Sequence, residues 1–431
     1  MEPRYLSIMA FLSITIAIIA VLLPIGTSPY VIPIPAFLIL AAIFTKPRIA
    51  FISSAILLSV MTIGYQYNVQ YLVAFVLLSL ISVISISQIR YAERVDLIKT
   101  GFYIGTSGMI ILLSIYILEK CLIDVSGYMI VKNCTYIFIN SIISAILASG
   151  SLPLFEKAFK IITPYGMAEL GDHNQKLLKR LQMEAPGTYH HSLMVSSLCE
   201  AGAEAIGADP ILARVGALYH DIGKLERPMF FVENQSYFLI ENPHNRFAPR
   251  ISKMIITAHP KDGIKYAKEY GLPPVIQNFI LQHHGEGLAS YFYNQAVKEE
   301  GAENVKEEQF RYSGPKPNMK ETAILMIADA VESAVRSLKN PTTDEIDAMI
   351  NKIIVERLND GQLSDSPLTL KDLNVIASTF SRILRGMQHN RIKYQQNLPE
   401  EIQKINMPAI DTDLENKIKQ LEQPHNEENN D

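Results

Sequence analysis

Val215-Gly216-Ala217-Leu218-Tyr219-His220-Asp221-Ile222-Gly223-Lys224 reads as an apolar helical run that ends on an imidazole and a carboxylate side by side. Burying a carboxylate at the end of such a run is costly unless a cation meets it. The run therefore predicts a helix sunk in a core and a cation-binding group at its end. Outward from it, Val195, Leu198 and Ala205 mark one helix face and Ile211, Val215 and Leu218 another, while alternation of the strand type is scarce. Asp209-Pro210 starts a helix, Gly271-Leu272-Pro273-Pro274 stops one and begins the next, and Thr343 precedes an acidic first turn. The whole reads as all-α. Two long connections, Glu226–Pro249 and Ser290–Met319, are expected to cover a site.

The N-terminal part is built for a different solvent. All ten histidines fall between His173 and His425, and the charges before Ser149 sit in a few short clusters. Apolar runs near Tyr5–Leu23, Val31–Thr45, Arg48–Tyr65, Val69–Ile89, Thr100–Leu118 and Cys134–Phe155 approach the ~20 residues that cross a bilayer as helix. Six spans are expected, the second short and interrupted by Pro33 and Pro35. Arg4, Lys46/Arg48, Arg90–Lys99 and Lys157/Lys160 then share one side, which the enrichment of basic residues in inner loops makes cytoplasmic. Leu22-Leu23-Pro24 offers no small-residue cleavage site, so the first run reads as an uncleaved helix. Without buried Asp, Glu or Lys in the spans a proton-coupled transporter is disfavoured, which leaves anchor, oligomerisation surface or sensor.

The expected partition is a polytopic membrane domain over residues 1–155, a juxtamembrane linker helix over 156–188, a helical catalytic domain over 189–398 and a polar, disordered tail over 399–431. In the linker, Leu170, Leu177, Leu178 and Leu181 alternate with Asp172, Lys176, Lys179 and Arg180 as on an amphipathic helix. A net charge of −4 gives no basic field for long nucleic acids. Three scattered cysteines make no zinc knuckle; Cys121 and Cys134 either pair across an outer loop or stay free thiols.

Four histidine-bearing stretches and one later aspartate carry the chemistry: His190-His191, His220-Asp221, His259, His283-His284 and Asp329. One histidine on a helix is usually a core residue, but seven of the ten lie between His190 and His284. Mixed imidazole and carboxylate ligands suit divalent Fe, Mn, Zn or Co, and a carboxylate can bridge two ions, which makes Asp221 the natural bridge. Two ions ~3.5–4 Å apart activate water and clamp the attacking and leaving oxygens of a phosphodiester. His244, behind Pro243, reads as structural.

These positions resemble the metal ligands of the HD superfamily of phosphohydrolases. The stretches Ala185–Ser192, His220–Lys224, Phe231–Gln235 and Phe310–Pro317 are similar to the PgpH-type membrane HD proteins over roughly Thr163–Tyr394 and, more loosely, the membrane half. The resemblance implies hydrolysis of cyclic di-AMP to pApA by a membrane-anchored domain at a di-iron or di-manganese centre. It implies one metal on His191, His220, Asp221 and Asp329, the other on Asp221, His259, His283 and His284, with His190 no ligand. Lys224 would meet a phosphate oxygen or the attacking water, so Asp221 and Lys224 are the expected catalytic pair. In the segment Gln309–Met319, Arg311, Tyr312 and Lys316 are expected to bind substrate from a lid. Expected partners are a cyclic dinucleotide and the lipid bilayer of the cell membrane, with a homodimer left open and no polynucleotide. The family's large extracellular domain, between its first and second helices, is not expected within this sequence, which either puts sensing through it in doubt or reflects a truncated N-terminus. His283-His284-Gly285-Glu286-Gly287-Leu288 lacks the following Gly-Tyr-Pro of enzymes acting on cyclic di-GMP. Hydrolysis of a nucleoside triphosphate and silent binding of a nucleotide at the membrane are the competing functions.

Overall fold

The computed structural model describes residues 3–22, 27–64, 69–88, 94–120, 126–159, 161–338 and 341–395. Cys121 and the tail 399–431 lie outside them, as do parts of the expected loops. Among the described residues there is no strand, only an isolated antiparallel bridge between Leu288 and Arg311.

Among the described residues six apolar helices come first: α1 (Pro3–Leu22), α2 (Ile34–Phe44), α3 (Pro47–Gly64), α4 (Val69–Ser87), α5 (Arg94–Lys120) and α6 (Gly127–Phe159). Four of them, α1, α4, α5 and α6, are long and apolar enough to cross a membrane. The second expected span departs from a span in a way its prolines explain. Pro29–Val31 forms a 3-10 turn, and α2 then runs for only 11 residues, about 16 Å at 1.5 Å per residue, roughly half a hydrocarbon core. Pro33 and Pro35 have no N–H to return to the preceding carbonyls, and Asn140 on α6 replaces them, donating to the carbonyls of Tyr30 (2.9 Å) and Ile32 (2.7 Å). α2 is correspondingly buried, with Phe37, Leu38, Ile39 and Ala41 sealed among its neighbours. α5 and α6 cross closely at Gly101, where a Cβ would come within 2.4 Å of the Ala145 Cβ.

At the end of α6, Glu156 accepts from Thr163 N and Oγ1, at 2.8 and 2.5 Å, and Thr163 caps α7 (Pro164–Leu170). The amphipathic stretch expected as a linker becomes α8 (Lys176–Glu184). Its Leu177, Leu178 and Leu181 are buried in one cluster with Val215, Leu218 and Ile276, so α8 is packed into the helical domain.

That domain continues with α9 (Pro186–Ala205), α10 (Pro210–Tyr219), α11 (Val232–Phe238), α12 (Pro249–Thr257), α13 (His259–Glu269), α14 (Pro274–Gln282), α15 (Ser290–Glu300), α16 (Lys320–Ser337), α17 (Thr343–Asn359) and α18 (Leu370–Gln395). Asp209 caps α10 by accepting from Leu212 N at 3.0 Å. Thr342, one residue earlier than expected, forms a capping box with Glu345 at α17. Ser290–Met319, expected as a connection, begins with α15, whose Phe292 and Ala296 bury against Phe310. α10 is held on two faces: Ala213 and Ala217 join the core of α9, α16, α17 and α18, while Val215, Leu218 and Tyr219 join that of α8 and α14. A helix clamped in this way has to end at a defined place, and it ends at His220-Asp221.

Candidate metal centre

The seven expected ligands come from five helices. His191 lies in α9, His220 and Asp221 follow the last residue of α10, and His259 is the first residue of α13. His283 and His284 follow α14, and Asp329 lies within α16. Three of the rings are aimed in the same way. Nδ1 of His220 donates to Ala217 O (2.7 Å), that of His259 to Ile256 O (2.7 Å) and that of His283 to Ile280 O (2.8 Å). A ring tied three residues back at Nδ1 presents a bare Nε2 lone pair to the interior. His191 Nδ1 instead meets Glu332 Oε2 at 2.5 Å.

Asp221 stands among them with one oxygen toward each group. Its Oδ2 lies 3.1 Å from His220 Nε2 and 3.6 Å from His191 Nε2; its Oδ1 lies 3.3 Å from His259 Nε2 and 3.6 Å from His283 Nε2. Asp329 Oδ1 is 3.0 Å from His191 Nε2, and its Oδ2 is 3.8 Å from His284 Nδ1. The ligand atoms form two compact groups, His191/His220/Asp221 and His259/His283/His284, each within 4.8 Å.

Two observations test whether these residues suit metal ions. His220 Nε2 and Asp221 Oδ1 are buried without a hydrogen-bond partner, an expense that a cation removes. His259 and His283 also bring their Nε2 atoms to 3.1 Å, lone pair against lone pair. Burial pushes His259 down to about 3, so its own ring stays neutral at pH 7. At metal–nitrogen bonds of about 2.1 Å, such a separation matches two neighbouring ligands of one ion. The donor set fits a dinuclear centre.

The field around it is strongly anionic. Burial disfavours the charged forms of Asp221 and Asp329, yet His220 and Lys224 around the first and His191 around the second hold both well below the usual carboxylate range. Lys224 is tied between Asp221 Oδ2 (2.8 Å) and Glu233 Oε1 (2.7 Å), which outweigh its burial and keep it charged. Glu233 also accepts from Thr188 Oγ1 at 3.1 Å, so the connection after α10 is pinned to the start of α9. Gly223 makes this turn possible, because a Cβ there would sit 1.9 Å from His259 O. Gly223→Ala is expected to cost about 1–3 kcal/mol through forced displacement of His259, read as a lower Tm together with a loss of bound metal.

The substrate-facing expectations divide. Tyr312 packs against His284 with ring centroids 4.3 Å apart and planes tilted by 32°, and the His284 side chain is 24% exposed. Lys316 Nζ lies 3.8 Å from Glu286 Oε2. Arg311 is committed to protein partners. Its guanidinium grips both Asp360 oxygens, Glu307 and the Glu286 carbonyl, and it fastens the segment to the end of α17. His190 is exposed and stacks on Tyr237. His244 is buried with Nε2 donating to Phe230 O at 2.9 Å, a structural role.

Three residues give little sign of themselves in the sequence. Glu332 follows Asp329 by three positions on an apolar helix, and that acidic repeat is its only signal. Glu233 lies in the Phe231–Gln235 stretch with nothing to mark its role. Arg357 carries no motif; its Nη1 lies 3.6 Å from where a Gly287 Cβ would be, and its buried Nε has no acceptor.

A membrane unit joined to a helical domain with paired histidine/aspartate clusters is the arrangement of membrane-anchored HD proteins, and two family models match the two parts of the chain. Residues 2–163 match the family described as 7TM receptor with intracellular HD hydrolase, and residues 188–334 match the HD domain. Among its relatives, the cyclic-di-AMP phosphodiesterase PgpH of Bacillus subtilis is 38% identical over 386 residues, covering 87% of this chain and 52% of the relative. That of Listeria monocytogenes is 44% identical over 322 residues, covering 74% and 44%. The chain thus spans about half the length of the curated relatives it matches. The solved HD domain of L. monocytogenes PgpH in complex with cyclic-di-AMP is 47% identical, with 50% of this chain and 99% of that chain covered and a TM-score of 0.48.

Proposed function

We propose that this chain is a membrane-anchored phosphodiesterase that hydrolyses cyclic di-AMP to pApA on the cytoplasmic side of the cell membrane, using two iron or manganese ions. The observation that carries the reading is Asp221, whose two oxygens each face a different cluster of imidazoles. His191, His220, Asp221 and Asp329 would hold one ion and His259, His283, His284 and Asp221 the other. When bound, such ions supply an activated water and neutralise charge that grows on the phosphate. Water oxygen attacks phosphorus, the bond to a 3′ oxygen breaks, and that oxygen leaves with a proton.

The chain's own groups do the rest. Lys224, locked against Asp221, holds the bridging carboxylate in register with the His220 turn. Tyr312 offers a ring face beside His284 for a base. Lys316 and Arg357 are the cations available to phosphate oxygens, because Arg311 is committed to Asp360. Adenine as the base is supported by the relatives.

The test is incubation of the full chain in detergent, with Mn or Fe, against cyclic di-AMP, cyclic di-GMP and a nucleoside triphosphate, with products resolved by chromatography. pApA formed fastest from cyclic di-AMP supports the reading; preferential cleavage of either rival, or binding without cleavage, overturns it. In the same assay Arg357→Ala is expected to raise KM roughly tenfold or more, as a lost charge-assisted hydrogen bond would, with kcat within about twofold.

A further inference from the structure

The outer partners of the histidines are not alike. His220, His259 and His283 each lean on a backbone carbonyl, whereas His191 leans on a carboxylate, Glu332, at 2.5 Å. Glu332 is 7% exposed and sits one turn beyond Asp329 on α16, so one rigid helix carries both an expected ligand and the group that aims another. The ligands are unequal too. On the His191 side, Asp221 Oδ2 lies 3.1 Å from His220 Nε2 and Asp329 Oδ1 lies 3.0 Å from His191 Nε2. On the other side His259 and His283 share Asp221 Oδ1, at 3.3 and 3.6 Å, and Asp329 Oδ2 approaches His284 at 3.8 Å.

From this asymmetry we infer that the two metal positions differ in strength, the His191 side taking its ion first, and that Glu332 is the positioning residue responsible. The inference rests on the dinuclear reading above. Three features act in one direction, against the proton that an ion must displace from His191. More anionic oxygen lies on that side, which a divalent cation in a poorly solvated site feels strongly. A carboxylate that accepts Nδ1–H makes Nε2 a stronger donor than a carbonyl does, and it fixes the tautomer. Glu332 also prevents ring rotation, so Nε2 points at Asp221 and Asp329 before any ion arrives. Arg336 Nη2, 3.7 Å from Glu332 Oε2, holds the carboxylate from its outer side.

The test is a titration of the metal-stripped full chain in detergent with Mn2+, in which electron paramagnetic resonance counts free ion. Wild type is expected to bind two ions with clearly separate dissociation constants. Glu332→Gln keeps the shape but removes the charge and allows the wrong tautomer. It should weaken the tighter site roughly 10–100-fold while the weaker constant changes less than about threefold. Two equal constants in wild type overturn the inference without any variant, as does a Glu332→Gln protein with both constants unchanged or both equally weakened. Uptake of one ion or none by wild type would instead defeat the dinuclear reading itself, a separate failure.

Discussion

Asp221→Ala is expected to leave a folded protein that binds neither ion firmly and turns over cyclic di-AMP more than about 10³-fold slower. Loss of one preorganised electrostatic donor typically costs 10²–10³ in rate, and Asp221 serves both clusters at once. Its Oδ2 lies near His220 and His191 and its Oδ1 near His259 and His283, so no neighbour replaces it. The fold should survive, because Lys224 keeps its other partner, Glu233, at 2.7 Å. Steady-state kinetics, metal content by plasma mass spectrometry and circular dichroism on one preparation check all three parts. Turnover at the wild-type rate would end the mechanism.

The second large effect is a proton. The buried His191 ring has a carboxylate on each nitrogen, Asp329 Oδ1 at 3.0 Å from Nε2 and Glu332 Oε2 at 2.5 Å from Nδ1. Burial alone would favour the neutral ring, but the two carboxylates win and its pKa is pushed up to about 9. In the metal-free protein at pH 7 the ring therefore carries both protons, and an ion at Nε2 has to expel one. The sign follows from this. Apparent affinity at the His191 side should rise by about tenfold per pH unit from 7 toward 9 and level off above. Stability of the metal-free protein from this group is fully present below pH 6.5 and is lost as pH rises through about 9. His259, held down to about 3, has no proton to lose in that range. Calorimetry of metal binding at pH 7.5 in buffers of different ionisation enthalpy should show release of about one proton; binding with no release would contradict this account of His191.

The parts of this molecule that are legible in the sequence are those in which local pattern and burial say the same thing. The run Val215–Tyr219 has to be helical and sunken, and its end on His220-Asp221 is a chemical statement because a buried carboxylate needs a partner. Asp209-Pro210 and Gly271–Pro274 punctuate helices because their backbones cannot do otherwise. What escapes depends on tertiary placement. Whether Leu177, Leu178 and Leu181 face a bilayer-side partner or the domain core is not written in their spacing, since both demand one apolar stripe. Arg311 looks like a free cation until Asp360, 49 positions later, is found to hold it. Glu332 looks like an ordinary acidic residue until α9 brings His191 against it. The short α2 is anticipated from Pro33 and Pro35, but the repair of its turn by Asn140, more than a hundred residues away, is not.

The most direct test of the central claim is anomalous scattering from crystals of the protein grown anaerobically with manganese, measured on both sides of the manganese edge. Two peaks about 3.5–4 Å apart, astride the Asp221 carboxylate with His191 and His220 on one and His259, His283 and His284 on the other, are the result predicted. A single peak, or none with the imidazoles turned away from one another, would contradict it.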